Sequence, residues 1–355
     1  MFVDNATECL GSVFVATNIY DIARLSGVSV STVSKAMNNY KGINENTKRR
    51  ILAIASENDF YPNSIAKGLV TGQSHVIGFF LNDAINSGFR HPFFQRVIQG
   101  SKNALGEAGY DILFFTNAKF TVDRAYNDYL NRAQHRLVDG VILMGMDRGD
   151  VGAHEVAVSG LPSMAIDMEL TGARSGYVQS NNVEAARQVV NYLTSLGHKK
   201  IAIIGDCFKS KPGEDRERGF AMAVRTHRLP SEPAWREMGD FTRESGFAAM
   251  NRMLKGPDLP TAVFAVGDLM ALGAMDAIRE RGLSVPQDIS VVGFDDIESI
   301  GSNHPPLTTV RQNMEYIGER AGEALVQLIE NPHFHPPVLT VDTELIIRET
   351  CQTRT

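Results

Sequence analysis

Ser29, Ser31, Thr32, Ser34 and Lys35 are polar side chains crowded into one short stretch, SVSTVSK. Hydroxyls can donate or accept at base edges, and a lysine ammonium can neutralise a phosphate or reach a guanine. The chemistry on offer is recognition. Serine, histidine and aspartate occur elsewhere, but no GxSxG, P-loop, HExxH or GxGxxG pattern arranges them for catalysis. The stretch HKKIAIIGD has a single glycine, so no dinucleotide fingerprint follows. The chain is therefore expected not to be an enzyme and to need no cofactor and no metal.

Short helices must hold those side chains in place. An apolar-periodic run, Ile19, Ile22 and Ala23, stops at Gly27, and Ser29 stands where an N-cap would open a second helix. That helix buries Val33 and Met37 and leaves a first turn of small and hydroxyl residues, which suits a major groove. A third helix from about Asn44 sets Ile51, Ile54 and Ala55 on one face and Lys48, Arg49 and Arg50 on another. Two short helices with a glycine turn, closed by a third, predict a helix-turn-helix. Residues 18–74 carry a net charge of +3 and residues 75–355 carry −7, within a chain of −6. Attraction for phosphate is thus confined to one end.

At 355 residues and 43% hydrophobic, the chain can bury two or three domains. The cysteines, Cys9, Cys207 and Cys351, are odd in number and widely spaced, which points to a reducing, cytoplasmic setting without a disulfide framework. No apolar run reaches the roughly 18 residues of a membrane helix, so no membrane partner is expected. Residues 1–17 make a poor signal peptide and read as a disordered N-terminal extension. Tyr61-Pro62 should end the third helix. From His75 the pattern becomes apolar runs alternating with amphipathic helices. Val76–Leu81, Asp111–Phe115, Val141–Met144 and Ser163–Ile166 read as buried strands, with helices near Phe93–Ala108 and Val122–Arg136. A second set follows: Ile201–Ile204, Ala262–Val266 and Ile289–Val292, with helices near Val183–Leu196, Glu214–Arg225, Arg243–Leu254 and Asp268–Arg281. Two such sets predict two doubly wound α/β lobes with a cleft at the carboxyl ends of their strands.

IYDIARLSGVSVSTVSKAMN, NENTKRRILAIASENDFYPNSIAKGL, LGHKKIAIIG, RERGF, GLSVPQDISVVGFDD and PPLTTVRQ together resemble the lactose-repressor/galactose-repressor family of bacterial transcription regulators. The resemblance runs from Asn18 to about Arg348. It implies an all-α helix-turn-helix head (18–62) joined by a hinge helix (63–74) to a two-lobed α/β, periplasmic-binding-protein-like effector domain with parallel sheets (75–348). The N-lobe would take 75–179 and 309–335, and the C-lobe 180–308 and 336–348. Relatives begin only a few residues before Ile19, so initiation near Val15 is the alternative to a genuine extension.

By the same resemblance, double-stranded operator DNA would be met by Tyr20, Ser29, Val30, Ser31, Thr32, Ser34, Lys35, Asn38, Asn63 and Lys67. Leu69 would wedge the minor groove. A small-molecule effector would lie among Phe93, Phe94, Met146, Asp147, Asp167, Asn181, Arg216, Phe241, Asp268 and Asp295. Arg216 matches the family's ligand clamp, Asp295 a hydroxyl acceptor and Phe241 the stacking position. For Asp268 the residues leave two readings open, a rim contact or a cap for the helix it begins. Asn181-Asn182 departs from the family's frequent Asp-Asn, and the loop before HPFFQ is longer than usual. An aromatic wall with carboxylate, amide and arginine groups suits a sugar or sugar phosphate, with a purine-like metabolite as the alternative. The final residues lack a leucine-heptad pattern, so a homodimer is expected, acting as a repressor of carbohydrate-utilisation genes. A transport-type sugar-binding protein shares the two-lobed plan but has no helix-turn-helix.

Overall fold

The computed structural model describes residues 18–37, 40, 42–60, 72–81, 91–115, 128–146, 149–298 and 305–354. The chain divides after Ser74 into two compact units.

In the first unit three helices, Ile19–Ser26, Val30–Met37 and Glu45–Glu57, close one small core. Asn18 and Asp21 form a capping box at the first helix, which ends at Gly27 in the left-handed conformation (φ 64°). Ser29 accepts from the Thr32 N–H at 3.2 Å and so starts the second helix. Ile22, Ala23, Val33, Ala36, Ile51, Ala55 and Phe60 are buried together. Ala36, rather than the expected Met37, shares the inner face of the second helix with Val33. Met37 is only half-buried.

In the second unit two six-stranded sheets are laid out on the same plan. The first is built from β1 (Val76–Leu81), β2 (Asp111–Phe115), β3 (Gly140–Met144), β4 (Ser163–Ile166), β5 (Ser175–Ser180) and β11 (Val338–Val341), in the order β11-β5-β4-β3-β1-β2, all parallel. The second holds β6 (Ile201–Asp206), β7 (Arg236–Gly239), β8 (Ala262–Ala265), β9 (Ser290–Asp295), β10 (Thr308–Gln312) and β12 (Thr343–Ile346), in the order β12-β10-β9-β8-β6-β7. Only β12 runs antiparallel there, beside β10. β1, β3, β4, β6, β8 and β9 are apolar runs buried along almost their whole length, as parallel strands covered on both faces must be. In each sheet the strand order reverses at the strand next to one edge, β1 or β6, which sets a ligand crevice at the carboxyl ends.

The pairing moves two crossovers from where the sequence placed them. Thr308–Gln312 bonds to β9 and stays in the second lobe, so the chain returns to the first lobe at Asn313 rather than near Thr308. Val338–Val341 bonds to β5 in the first lobe, so the last crossover falls at Asp342 rather than near Pro336. Short runs such as TTVRQ and VLTV carry no preference for one sheet over the other, and only the ladder decides. β5 and β7 escaped the sequence reading because SGYVQS and REMG have no apolar run. The helix expected over Val122–Arg136 is described only in its last part, Tyr129–His135.

Returning from the second lobe, the helix Met314–Glu330 lies hard against the helix Pro92–Glu107. A Cβ on Gly100 would fall 1.9 Å from the Glu315 carbonyl oxygen, and one on Gly318 would fall 2.0 Å from that of Val97. No described helix is long and apolar enough to cross a membrane.

Candidate functional site

In the first unit the second helix presents its first turn outward. Ser29, Ser31 and Lys35 are exposed, while Val30, Thr32 and Ser34 are half-buried. Ser29 Oγ lies 2.8 Å from both Ser31 Oγ and Thr32 Oγ1, so three hydroxyls form one cluster at the helix start. That cluster joins the exposed amide end of a helix, which attracts phosphate, to groups able to donate and accept at base edges. Tyr20 projects from the first helix, 71% exposed. Asn38, Asn63, Lys67 and Leu69 lie outside the described residues, as does Asp147 in the second unit.

In the second unit Arg216 is the centre of the cleft. Asp206 closes the loop after β6 by accepting from Phe208 N, Ser210 N and Ser210 Oγ. Ser210 then caps the helix Lys211–Thr226, which starts a turn earlier than the expected Glu214 and carries Arg216 inward. The guanidinium is buried, with its Cζ 3.7 Å from the centre of the Phe294 ring. Its Nε donates to Asn182 Oδ1 at 2.9 Å and its Nη1 to the Val266 carbonyl at 2.7 Å. Asp295 Oδ1 stands 3.8 Å from Nη1 and accepts from Gln312 Nε2 at 2.6 Å. Gln312 Oε1 accepts from Ser180 Oγ at 2.6 Å, so the chain of bonds runs from β9 to the first crossover. Burial pushes the Asp295 carboxyl up, and the Arg216 charge opposes that shift.

Asp167 faces this group from the first lobe, at the carboxyl end of β4. Its Oδ1 is shut off from solvent and has no hydrogen-bond partner. Burial pushes its carboxyl up to about 6, against the pull of Arg216. Lys211, itself buried, reaches Asp215 Oδ2 at 2.5 Å on its own helix and Glu169 Oε1 at 3.4 Å in the first lobe. Backbone strain gathers at the same strand ends. Asp167 (φ 56°) follows β4, Lys209 (φ 53°) follows β6, Phe241 (φ 64°) follows β7, and Asp295 (φ 122°) and Asp296 (φ 58°) close β9. Non-glycine residues in that region cost free energy and gather at ligand sites.

This arrangement of basic head and two-lobed cleft has known counterparts. Residues 18–63 match the model of the bacterial regulatory proteins of the lacI family, and residues 190–351 that of a periplasmic binding protein-like domain. A probable HTH-type transcriptional repressor, ExuR of Bacillus subtilis (strain 168), is 35% identical over 334 residues, 93% of this chain and 97% of that protein. This chain belongs to the lacI family. It is a DNA-binding transcription regulator with a helix-turn-helix head and a two-lobed α/β ligand-binding unit. The repressor PurR of Pasteurella multocida (strain Pm70) is 31% identical over 337 residues, 95% of this chain and 99% of its own. Among solved structures, the Lac repressor dimer bound to operator and the anti-inducer ONPF superposes with a TM-score of 0.81, at 28% identity over 95% of this chain and 99% of that one. The complex of the regulator CelR with cellobiose gives 0.70, at 28% identity over 94% and 99%.

Within this lacI-family regulator the expected ligand residues separate into groups. Asp167, Arg216 and Asp295 are brought together. Phe241 stands over Gly267, where a Cβ would fall 3.0 Å from its ring, and it stays half-buried at the rim. Phe94 is half-buried and available as a wall, whereas Phe93 is buried in the core of the first lobe. Met146 is also core, and its sulfur accepts from Tyr129 Oη at 3.0 Å. Asp268 is fully buried with both carboxylate oxygens engaged, Oδ1 by Thr309 Oγ1 (2.6 Å) and Oδ2 by Ile297 N (3.0 Å). Its geometry is that of a lock on the turn after β9, not of a rim contact. Asn181 gives its N–H to the Val341 carbonyl and makes no side-chain cap, while its neighbour Asn182 holds Arg216.

Gln312 and His91 escaped the sequence reading as site residues. Gln312 ends the PPLTTVRQ motif, and that motif was the available signal. His91 directly precedes the PFF aromatic pair and caps the helix Pro92–Glu107. A separate cavity of about 440 Å³ beside the crossovers is lined in part by Arg96, Asp296, Arg311 and Glu344. Its arginines already have partners, Arg96 with Glu315 at 3.2 Å and Arg311 with Asp296 at 2.7 Å. No described group of His, Cys, Asp and Glu could hold a metal ion.

Proposed function

We propose that this regulator is a cytoplasmic homodimer that represses carbohydrate-utilisation genes, and that a sugar or sugar phosphate held between its lobes changes its affinity for operator DNA. One observation carries the reading. Asp167 in the first lobe keeps a buried carboxylate oxygen without a hydrogen-bond partner, and its carboxyl feels the charges of Arg216 and Asp295 in the second. A hydroxyl-rich ligand donates to that oxygen, receives hydrogen bonds from the remaining Nη2 of Arg216 and stacks against Phe241. Bridging both lobes, it stabilises one lobe arrangement over the other, which is how binding energy becomes a switch. Two relatives support this reading: one solved neighbour is complexed with cellobiose, and a ribose operon repressor of Haemophilus influenzae is 30% identical over 329 residues.

Ser29, Val30, Ser31, Thr32 and Lys35 meet the major groove in this reading, and the effector acts on the spacing of two such heads. Purified protein is screened by thermal shift against sugars, sugar phosphates and nucleobases, and hits are then titrated into an operator mobility-shift assay. A ligand selective for the folded state adds about 2.7 kcal/mol of stability at a hundredfold excess over its Kd. A sugar hit that alters operator affinity supports the proposal. A nucleobase as the sole hit overturns the carbohydrate assignment.

A further inference from the structure

His91 stands at the entrance to the helix Pro92–Glu107, on the cleft side of the first lobe. Its Nδ1 accepts the Phe93 N–H at 3.3 Å and caps the helix. An imidazolium cannot accept a hydrogen bond, because both of its nitrogens carry protons. The cap therefore fixes a neutral ring with its proton on Nε2. Burial, helped by the Arg216 cation across the cleft, pushes the pKa down to about 4, so the ring stays neutral throughout the physiological range. Phe94 packs edge-on against it, with ring centres 5.7 Å apart and planes at 61°. The ring is thus held in place, its tautomer is set, and Nε2–H has no partner among the described residues.

We propose that His91 is a specificity-determining residue of the effector cleft, its Nε2–H donating to an oxygen of the ligand on the side opposite Arg216. This rests on the effector reading of the cleft given above. Asp167 and Asp295 supply acceptors, and Arg216 supplies donors tied to a charge. His91 adds an uncharged donor that cannot turn into an acceptor. It therefore selects a ligand with an accepting oxygen at that point, whether a hydroxyl, ring or carboxylate oxygen, and discriminates against the deoxy analogue.

Two substitutions separate this role from capping. His91→Asn keeps an acceptor near Nδ1, and asparagine caps helices well, but the donor at Nε2 is lost. His91→Gln keeps a donor near Nε2 and gives up the cap. Full-length wild type, both variants and Arg216→Ala are titrated calorimetrically with D-glucose, D-galactose, D-ribose, cellobiose, D-galacturonate and D-glucose 6-phosphate. The ligand-free operator affinity of each protein is measured alongside. For whichever probe binds the wild type, His91→Asn is expected to weaken binding about tenfold, the worth of one well-placed hydrogen bond. His91→Gln recovers most of that loss, and Arg216→Ala removes binding. Wild-type affinity in His91→Asn, or weakening in His91→Gln alone, overturns the donor role while leaving the cleft assignment standing. Binding of none of the probes to the wild type, or undiminished binding to Arg216→Ala, removes the effector reading itself and the role of His91 with it.

Discussion

Arg216 donates its Nε–H to Asn182 Oδ1 at 2.9 Å, and this bond ties the buried cation of the cleft to the crossover between the lobes. Asn182 is buried too, and its Nδ2 donates back to the Ser180 carbonyl at 3.2 Å. The same Ser180 donates its hydroxyl to Gln312, which holds Asp295. A ligand pulling on Arg216 or Asp295 therefore pulls on the strand where the chain passes from one lobe to the other.

Asn182→Ala leaves a buried guanidinium N–H without an acceptor, which costs about 1–3 kcal/mol. Effector affinity is expected to fall about tenfold or more, with ligand-free operator affinity unchanged. Calorimetry and a mobility-shift titration read the two. Unchanged effector affinity would show that Val266 and Phe294 suffice to orient the guanidinium.

Asp167 sets a pH dependence whose sign can be worked out. Its carboxyl is raised to about 6, chiefly by burial, from an ordinary value near 4. The folded state thus binds the proton more tightly than the unfolded chain. The stability this gives is complete below pH ~4 and is lost as the pH rises through ~6. Asp167→Asn is expected to raise the melting temperature at pH 7 by a few degrees and to flatten its pH profile between about 4 and 6. Ligand binding runs the other way, because the ionised oxygen accepts from a hydroxyl more strongly than the protonated carboxyl does. Effector affinity of the wild type should fall about tenfold from pH 7 to pH 5, and a flat profile would remove Asp167 from the ligand contacts.

The head allows a separation of functions. Ser29→Ala deletes the cap on the second helix and should destabilise the head by about 1 kcal/mol, weakening binding to every DNA sequence. Exchanging Val30 and Ser31 leaves that cap intact and changes which base edges are met. Operator selection from a randomised pool should then return a different sequence, while calorimetry gives the wild-type effector affinity. A fall in effector affinity would contradict the division after Ser74.

What could be read in the chain beforehand follows the range of the interactions. Ser29 and Gly27 betray the head because capping and the left-handed turn are local, decided within a few residues. Arg216 and Asp295 stood out because RERGF and VVGFDD are strong local motifs, one within a helix and one at the end of β9, and the structure brings the two side chains to 3.8 Å. Asn182 was read only as a candidate for the cleft rim and His91 not at all, since nothing near them in sequence says that a guanidinium arrives on the one or that the other will cap a helix. Asp268 looked like either a cap or a contact. Only the arrival of Thr309, 41 residues on, settles its bonds. β10 and β11 were assigned to the wrong lobes for the same reason: pairing is long-range, and their side chains suit either sheet.

The close crossing of the helices Pro92–Glu107 and Met314–Glu330 gives a last test, with a control in the same helix pair. A Cβ on Gly318 would fall 2.0 Å from the Val97 carbonyl oxygen, so Gly318→Ala must push the helices apart. Overpacking of this kind costs about 1–3 kcal/mol. The displaced helix is the one that His91 caps, so effector affinity should fall together with the melting temperature. Gly106 lies near the end of that helix with nothing within 4 Å of its would-be Cβ. Gly106→Ala should therefore stabilise by up to about 1 kcal/mol through helix propensity alone, with effector affinity unchanged. Equal melting temperatures for the two alanine variants would mean that the helices yield at their crossing and that the position of His91 is not held by this contact.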